Sequence, residues 1–267
     1  MKRPSPGGAR AVWLAAVVLG LAGCGKSSDI TGTGAAAQQT ADDGAVQVGA
    51  AASTGNGGLL SEMNGTSEAV PMSSPATSPE RAASADTTFT RGNLTITLSR
   101  TFYDAGGTAL QQWDPSAVRA VVDSWIRGTV TGLRYQATVG RTGELDIGGL
   151  AAGMDTLTFD GTATDTTDAR YTSLDGTRTL DVHALATRVL AAVKKLKDRN
   201  VNPWPLSGTA TWNLAVDKYA SGPTGGIEAH WDIVAVLTFN GTRTAELAIN
   251  GRFHYHLDLL TGDVTRA

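Results

Sequence analysis

The residues best placed by type and spacing to do chemistry are His254 and His256, which flank Tyr255 in Phe253-His254-Tyr255-His256-Leu257-Asp258. On a β-strand, positions i and i+2 project from one face, so the two imidazoles offer paired nitrogen ligands to a divalent metal, and Asp258 continues that face. A third ligand would have to come from His183, His230 or Asp232. Metal-dependent hydrolysis at His254 and His256, with His230 as a further candidate, is therefore one expectation. A two-residue turn at Asn250-Gly251 argues against it, because His254 then faces Leu247, His256 faces Ala245 and Asp258 faces Arg243. That arrangement supplies a cross-strand ion pair on a partly solvated sheet face, so the weightier expectation is no metal and no cofactor. Other catalysis leaves little trace. The chain has no Gly-x-Ser-x-Gly elbow, no Ser-x-x-Lys, no His-Glu-x-x-His and no phosphate-binding glycine loop. Asp42 with Asp43, and Asp165 with Asp168, are carboxylate pairs of a kind common in turns and linkers.

The elements that must carry these residues are strands. Asp232 to Phe239, Thr242 to Ile249 and Arg252 to Leu259 are three apolar-polar runs separated by Asn240-Gly241 and Asn250-Gly251. Asn-Gly suits type I′ hairpin turns, which need positive φ at both central residues. That register puts Ile233, Ala235, Leu237, Phe239, Ala248, Phe253, Tyr255, Leu257 and Leu259 on a core face. Asp160-Gly161 and Asp175-Gly176 read as the same device, with strands at Thr156–Phe159, Thr162–Thr167, Arg170–Leu174 and Thr177–His183. Further strands are expected at Asn93–Arg100, Thr129–Val139, Glu144–Ile147 and Gly208–Val216. The expected fold is all-β, an antiparallel meander forming a sandwich or a curved, barrel-like sheet with at most one or two short helices. Residues 114–126 and 184–198 fit helix and strand equally, since both carry an apolar stripe at helical spacing as well as β-branched residues. Trp113, Trp125, Trp204, Trp212 and Trp231 are expected mostly in the core; an exposed ring among them would be a platform for sugars or bases. Gly128-Thr129-Val130-Thr131 matches Gly208-Thr209-Ala210-Thr211, and Leu157–Thr164 matches Leu237–Thr244, at one offset of 80 residues. The pattern suggests an internal repeat of 128–164 in 208–244.

Composition bounds the setting. A net charge of -3, a pI near 5.8 and 18% charged residues give no basic field, which argues against a nucleic-acid partner. Cys24 is the single cysteine, so intramolecular disulfides and thiolate metal sites are excluded. Residues 24–86, rich in Gly, Ala, Ser, Thr, Gln and Asp, read as a disordered tether with an r.m.s. reach of about 45 Å. Residues 87–267 read as the β-rich globular domain.

Ahead of that tether, Met1-Lys2-Arg3 and Arg10 precede the apolar run Ala11–Leu21, which is too short to span a bilayer. The tetrad Leu21-Ala22-Gly23-Cys24 resembles the lipobox of bacterial lipoproteins. The resemblance covers residues 1 to 25 and implies a signal peptide over 1–23, cleavage before Cys24, a diacylglyceryl thioether on its sulfur and an acylated amino terminus. Gly25, in place of the Asp of inner-membrane retention, implies the outer membrane. The globular part also resembles uncharacterised bacterial envelope lipoproteins in Trp204–Gly208 and the following Asn-Gly hairpin, which carries no activity with it. The expected function is that of a membrane-anchored envelope lipoprotein with a non-catalytic structural or interaction domain. The alternative is a periplasmic carrier of lipid or another small hydrophobic ligand, and the third reading is the metal-dependent hydrolase. The expected partners are the membrane through Cys24 and either an envelope protein or a small hydrophobic ligand.

Overall fold

Apolar and polar residues alternate with a period of two from Asp86 onward, and the computed structural model of the protein folds that pattern into one antiparallel sheet of twelve strands, not closed into a barrel. The structure describes residues 34–55, 57–69, 86–111, 113–132, 134–219 and 227–267. Two helices come first, α1 (Ala35–Ala52) and α2 (Leu59–Ala69). The strands are β1 (Asp86–Arg91), β2 (Leu94–Tyr103), β3 (Ala109–Leu110), β4 (Arg119–Thr131), β5 (Tyr135–Gly148), β6 (Thr156–Thr172), β7 (Thr179–Leu196), β8 (Ser207–Tyr219), β9 (Ile227–Thr238), β10 (Thr244–Ile249), β11 (Phe253–Asp258) and β12 (Val264–Arg266). Sheet order follows chain order, with the short β3 beside β2. The meander expectation therefore holds as a single curved sheet.

Residues 114–126 and 184–198, open between helix and strand, are strands. In β4 the buried set is Ala120, Val122, Ser124, Ile126 and Val130, a period of two rather than 3.6, and β7 buries Leu180, Val182, Ala184, Leu190 and Val193. Asp160-Gly161 makes no hairpin. β6 runs straight through it with a bulge, and Asp160 Oδ1 accepts a hydrogen bond from the backbone N–H of Ala192, which sits at φ 49° in the facing irregularity of β7. Thr129–Val139 is broken by the β4–β5 turn. Asp175-Gly176 is a turn, with Asp175 accepting from the Ser173 hydroxyl and the Thr177 N–H.

The C-terminal meander is present with its registers shifted. Asn250 and Gly251 both take positive φ, as a type I′ turn requires, yet Ile249 pairs with Phe253, one residue beyond the two-residue register. The Asn240-Gly241 loop is longer, with Thr238 opposite Glu246. Its polar groups are taken from outside the hairpin: Gly241 N–H donates to Pro205 O, and Asn202 Nδ2 donates to Gly241 O. The slip inverts β10, so Ala245, Leu247 and Ile249 are buried and Glu246 is exposed, and Ala248 leaves the expected core face. Duplication is not seen. Gly128 lies near the end of β4 but Gly208 near the start of β8, and Asp160-Gly161 lies within a strand but Asn240-Gly241 within a loop.

The largest correction concerns the tether, since residues 34–69 carry both helices in the interior. Thirteen of the eighteen α1 residues are buried, so this is a core helix despite its Gly, Ala and Asp composition. It packs on β9, β10, β11 and β12. Small residues permit the close approach: a Cβ on Gly49 would lie 2.3 Å from Gly262 O, and one on Gly44 would lie 2.6 Å from Ile233 Cδ1. The apolar bulk of the contact comes from the sheet, and the Asp42 and Asp43 carboxylates find partners there. Tyr255 OH donates to Asp42 Oδ1 at 2.8 Å, Arg266 pairs with Asp42, and Arg178 Nη2 lies 3.2 Å from both Asp43 carboxylate oxygens. Lys195 Nζ donates to Asn64 Oδ1 on α2.

Burial pushes the Asp43 carboxyl up from its ordinary 3.8 to about 6, more than Arg178 pulls it down. A pKa raised by folding means the native state binds the proton more tightly. The associated stability is therefore fully present below pH 3.8 and lost as pH rises through about 6. An Asp43 side-chain carboxyl resonance titrating near pH 6 is expected by NMR; titration below the free value would overturn the assignment.

Candidate functional site

The sheet's outward face carries an open groove of about 820 Å³ that crosses β2, β4, β5, β6 and β7. Strand parity and register build it. Trp125 on β4 lies opposite Thr97 on one side and Thr142 on the other, and the row continues through Thr164 to Thr187. The next outward row contains Ser99, Asp123, Glu144, Thr162 and Val189. Trp125 is 55% exposed, whereas Trp212 and Trp231 are buried and Trp113 and Trp204 are packed against the core. Asp123 and Glu144 face each other across the β4–β5 ladder, and neither forms an ion pair within 4 Å among the described residues.

Beneath the groove lies a buried charge cluster. Ser124, Gly143, Ala163 and Arg188 form the inward row between the two outward rows, and Glu62 of α2 meets the Ser124 and Arg188 side chains of that row. Ser124 Oγ donates to Glu62 Oε1 at 2.7 Å, Arg188 Nη2 donates to Glu62 Oε2 at 2.8 Å, and Arg141 Nη1 lies 3.5 Å from the same oxygen. Arg141 Nε also pairs with Asp165. Burial alone would raise the Glu62 pKa, but Arg188 and Arg141 outweigh it and hold the carboxyl ionised below its ordinary range. Among the described residues Arg141 Nη1, Asp165 Oδ2 and Trp212 Nε1 have no hydrogen-bond partner. Arg141, Asp165 and Trp212 border an interior cavity of about 40 Å³, room for water rather than for a lipid.

The residues singled out for metal chemistry do not converge. His254 and His256 are exposed on β11, opposite Ala248 and Glu246. His230 lies on β9, 2.7 Å from Asp217 Oδ1 through Nδ1 and 3.5 Å from Asp232 through Nε2. The Asp217 hydrogen bond is the main reason its pKa is raised. Asp217 and His230 extend an outward row begun by Asp168 and His183, whose side chains are 2.7 Å apart. Among the described residues no group of three or more His, Cys, Asp or Glu is placed to hold a metal ion. The expected pairing of Asp258 with Arg243 is present, with Nη2 and Oδ2 at 2.7 Å, although the ladder places Asp258 opposite Thr244. Cys24 lies outside the described residues.

The groove and the buried cluster were not anticipated as a site. Parity was the available signal for Trp125: with Ala120, Val122, Ser124 and Ile126 inward, Asp123, Trp125 and Arg127 must point out. Asp165 and Asp168, expected as turn carboxylates, lie on one strand three residues apart and on opposite faces, Asp165 with Arg141 and Asp168 with His183. No family model, no curated protein and no solved structure matches the chain. Among the described residues no helix is long and apolar enough to cross a membrane.

Proposed function

We propose that this chain is a lipid-anchored protein of the bacterial cell envelope, placed at the outer membrane by Gly25, whose β domain is a non-catalytic interaction module presenting its outward groove. The observation that carries the reading is the filling of the interior by α1 and α2. A carrier of lipid or another hydrophobic ligand would need the face formed by Ile233, Leu237, Tyr255 and Leu257 open, and α1 packs on it. The interior cavity beside α1 measures only about 40 Å³, against several hundred for a typical ligand site. Among the described residues no ligand set converges for the hydrolase reading. Of the open surfaces, the outward groove of about 820 Å³ is larger than the cleft of about 410 Å³ at the foot of α1 and carries the exposed Trp125, which favours it for recognition.

The anchor also lies closer to the domain than a long tether implies. Cys24 precedes Gly34, at the foot of α1, by ten residues, a covalent reach of at most about 36 Å. Cys24→Ala should abolish incorporation of labelled palmitate and move the protein from the membrane to the soluble fraction. Retention of the variant in membranes, with label still incorporated, would overturn the anchor.

A further inference from the structure

We propose that the outward groove centred on Trp125 binds an extended, uncharged polysaccharide, an assignment that rests on the interaction-module reading and names its ligand class. Three observations converge on it. The first is Trp125 itself, a large aromatic face 55% exposed at mid-groove. Such a ring offers a flat apolar platform with an N–H at its edge, which suits a pyranose face with its C–H groups and its rim of hydroxyls.

The second is the chemistry around the ring. Asp123 and Glu144 stand directly opposite each other on β4 and β5. Like charges in that position work against the sheet, and no cation within 4 Å among the described residues neutralises either. Carboxylates are strong acceptors for hydroxyl donors, so a ligand rich in hydroxyls satisfies both. They also repel polyanions, as does the net charge of -3, which directs the choice to a neutral polymer. Thr142, Thr164 and Thr187 add one hydroxyl per strand along the row.

The third is shape and placement. Four inter-strand spacings give the groove a length of about 19 Å, and it is open along its course, which suits a chain passing through rather than a single sugar enclosed. Thr164 lies nine residues before Ser173, which follows the end of β6 and borders the same cleft as Ala35 at the foot of α1. The groove is thus about 30 Å along the strand from the cleft at the foot of α1. The large apolar side chains of the lining are Trp125 and Val189, set among Thr, Ser, Asp and Glu whose polar groups a lipid chain would leave without partners. A stable protein interface would need a larger apolar centre than Trp125 and Val189 supply.

The test is affinity electrophoresis of the full-length protein, purified in detergent, through gels containing hydroxyethylcellulose, glycol chitin, soluble xylan or the polyanion alginate, with tryptophan fluorescence as a second readout. Expected are retardation by at least one neutral polysaccharide, none by alginate, and a blue shift of emission on binding. Trp125→Ala should weaken retardation by about tenfold or more, the size of one lost stacking contact, with cooperative unfolding retained because no buried core residue is removed. Asp123→Asn with Glu144→Gln should weaken it while preserving the fluorescence shift. Retardation by no neutral polysaccharide, or retardation indifferent to Trp125→Ala, overturns the assignment. If photocrosslinking from position 125 in cells then captures one envelope protein, the interaction module survives with a different partner; if it captures nothing, that reading falls too.

Discussion

A chain beginning at Asp86, which keeps every strand and loses both helices, is expected to be insoluble or molten, whereas one beginning at Gly34 should unfold in a single cooperative transition. Removing residues 34–69 strips α1 from the wall formed by Ile233, Leu237, Tyr255 and Leu257 and exposes it as a continuous apolar surface. It also leaves Arg188, 1% exposed in the intact protein, without Glu62, and takes Asn64 from Lys195 and Asp43 from Arg178. Removing one partner of a buried ion pair costs about 3–5 kcal/mol. Total stabilities of about 5–15 kcal/mol cannot absorb the loss of Glu62 from Arg188 and Arg141 together with the lost apolar contact. Near-UV circular dichroism, dye binding and thermal melting of the two chains decide the matter. Equal melting temperatures for both would show that the helices are accessories of the sheet and not its core.

How much of this was legible depends on where the information sits. The C-terminal strands were legible because Ile233, Ala235 and Leu237, or Tyr255, Leu257 and Leu259, alternate locally and Asn250-Gly251 demands its turn from two residues alone. Their exact pairing was not, because Pro205 and Asn202 bind the Asn240-Gly241 loop from across the structure. The helices were illegible for a related reason. Asp42, Asp43 and Glu62 look like solvent-seeking residues when composition is read alone, and their partners Arg266, Arg178, Arg141 and Arg188 lie from 79 to 224 residues away. Burial of α1 is stabilised by bulk on the sheet, which Ala and Gly on the helix accommodate but do not advertise. Of the candidate site, Trp125 was visible as a residue type. Its exposure followed only from choosing strand over helix for 114–126, and the carboxylates flanking it acquired meaning only with the β4–β5 register.

Glu62→Gln is expected to lower the unfolding free energy by about 3–5 kcal/mol at neutral pH, the second largest effect foreseen for this chain. The substitution keeps the shape and the acceptor for Ser124 but removes the charge that Arg188 and Arg141 share, leaving two buried guanidinium groups with Asp165 alone. Because folding lowers the Glu62 pKa, its ionic contribution is present above the ordinary value of 4.5 and is lost as pH falls through the lower folded value. The parent should therefore lose stability on acidification along a limb that Glu62→Gln lacks. Urea unfolding at several pH values reads both effects, with the midpoint moving and the slope constant if the native state keeps its extent of burial. A double variant, Glu62→Gln with Arg188→Met, should recover part of the loss, since an apolar replacement no longer needs a counter-charge. A parent and Glu62→Gln that unfold at the same urea concentration would show that the pair contributes nothing net. The outcome bears on the groove as well, because Ser124 and Arg188, which hold Glu62 from above, belong to the strands whose outward neighbours are Trp125 and Thr187.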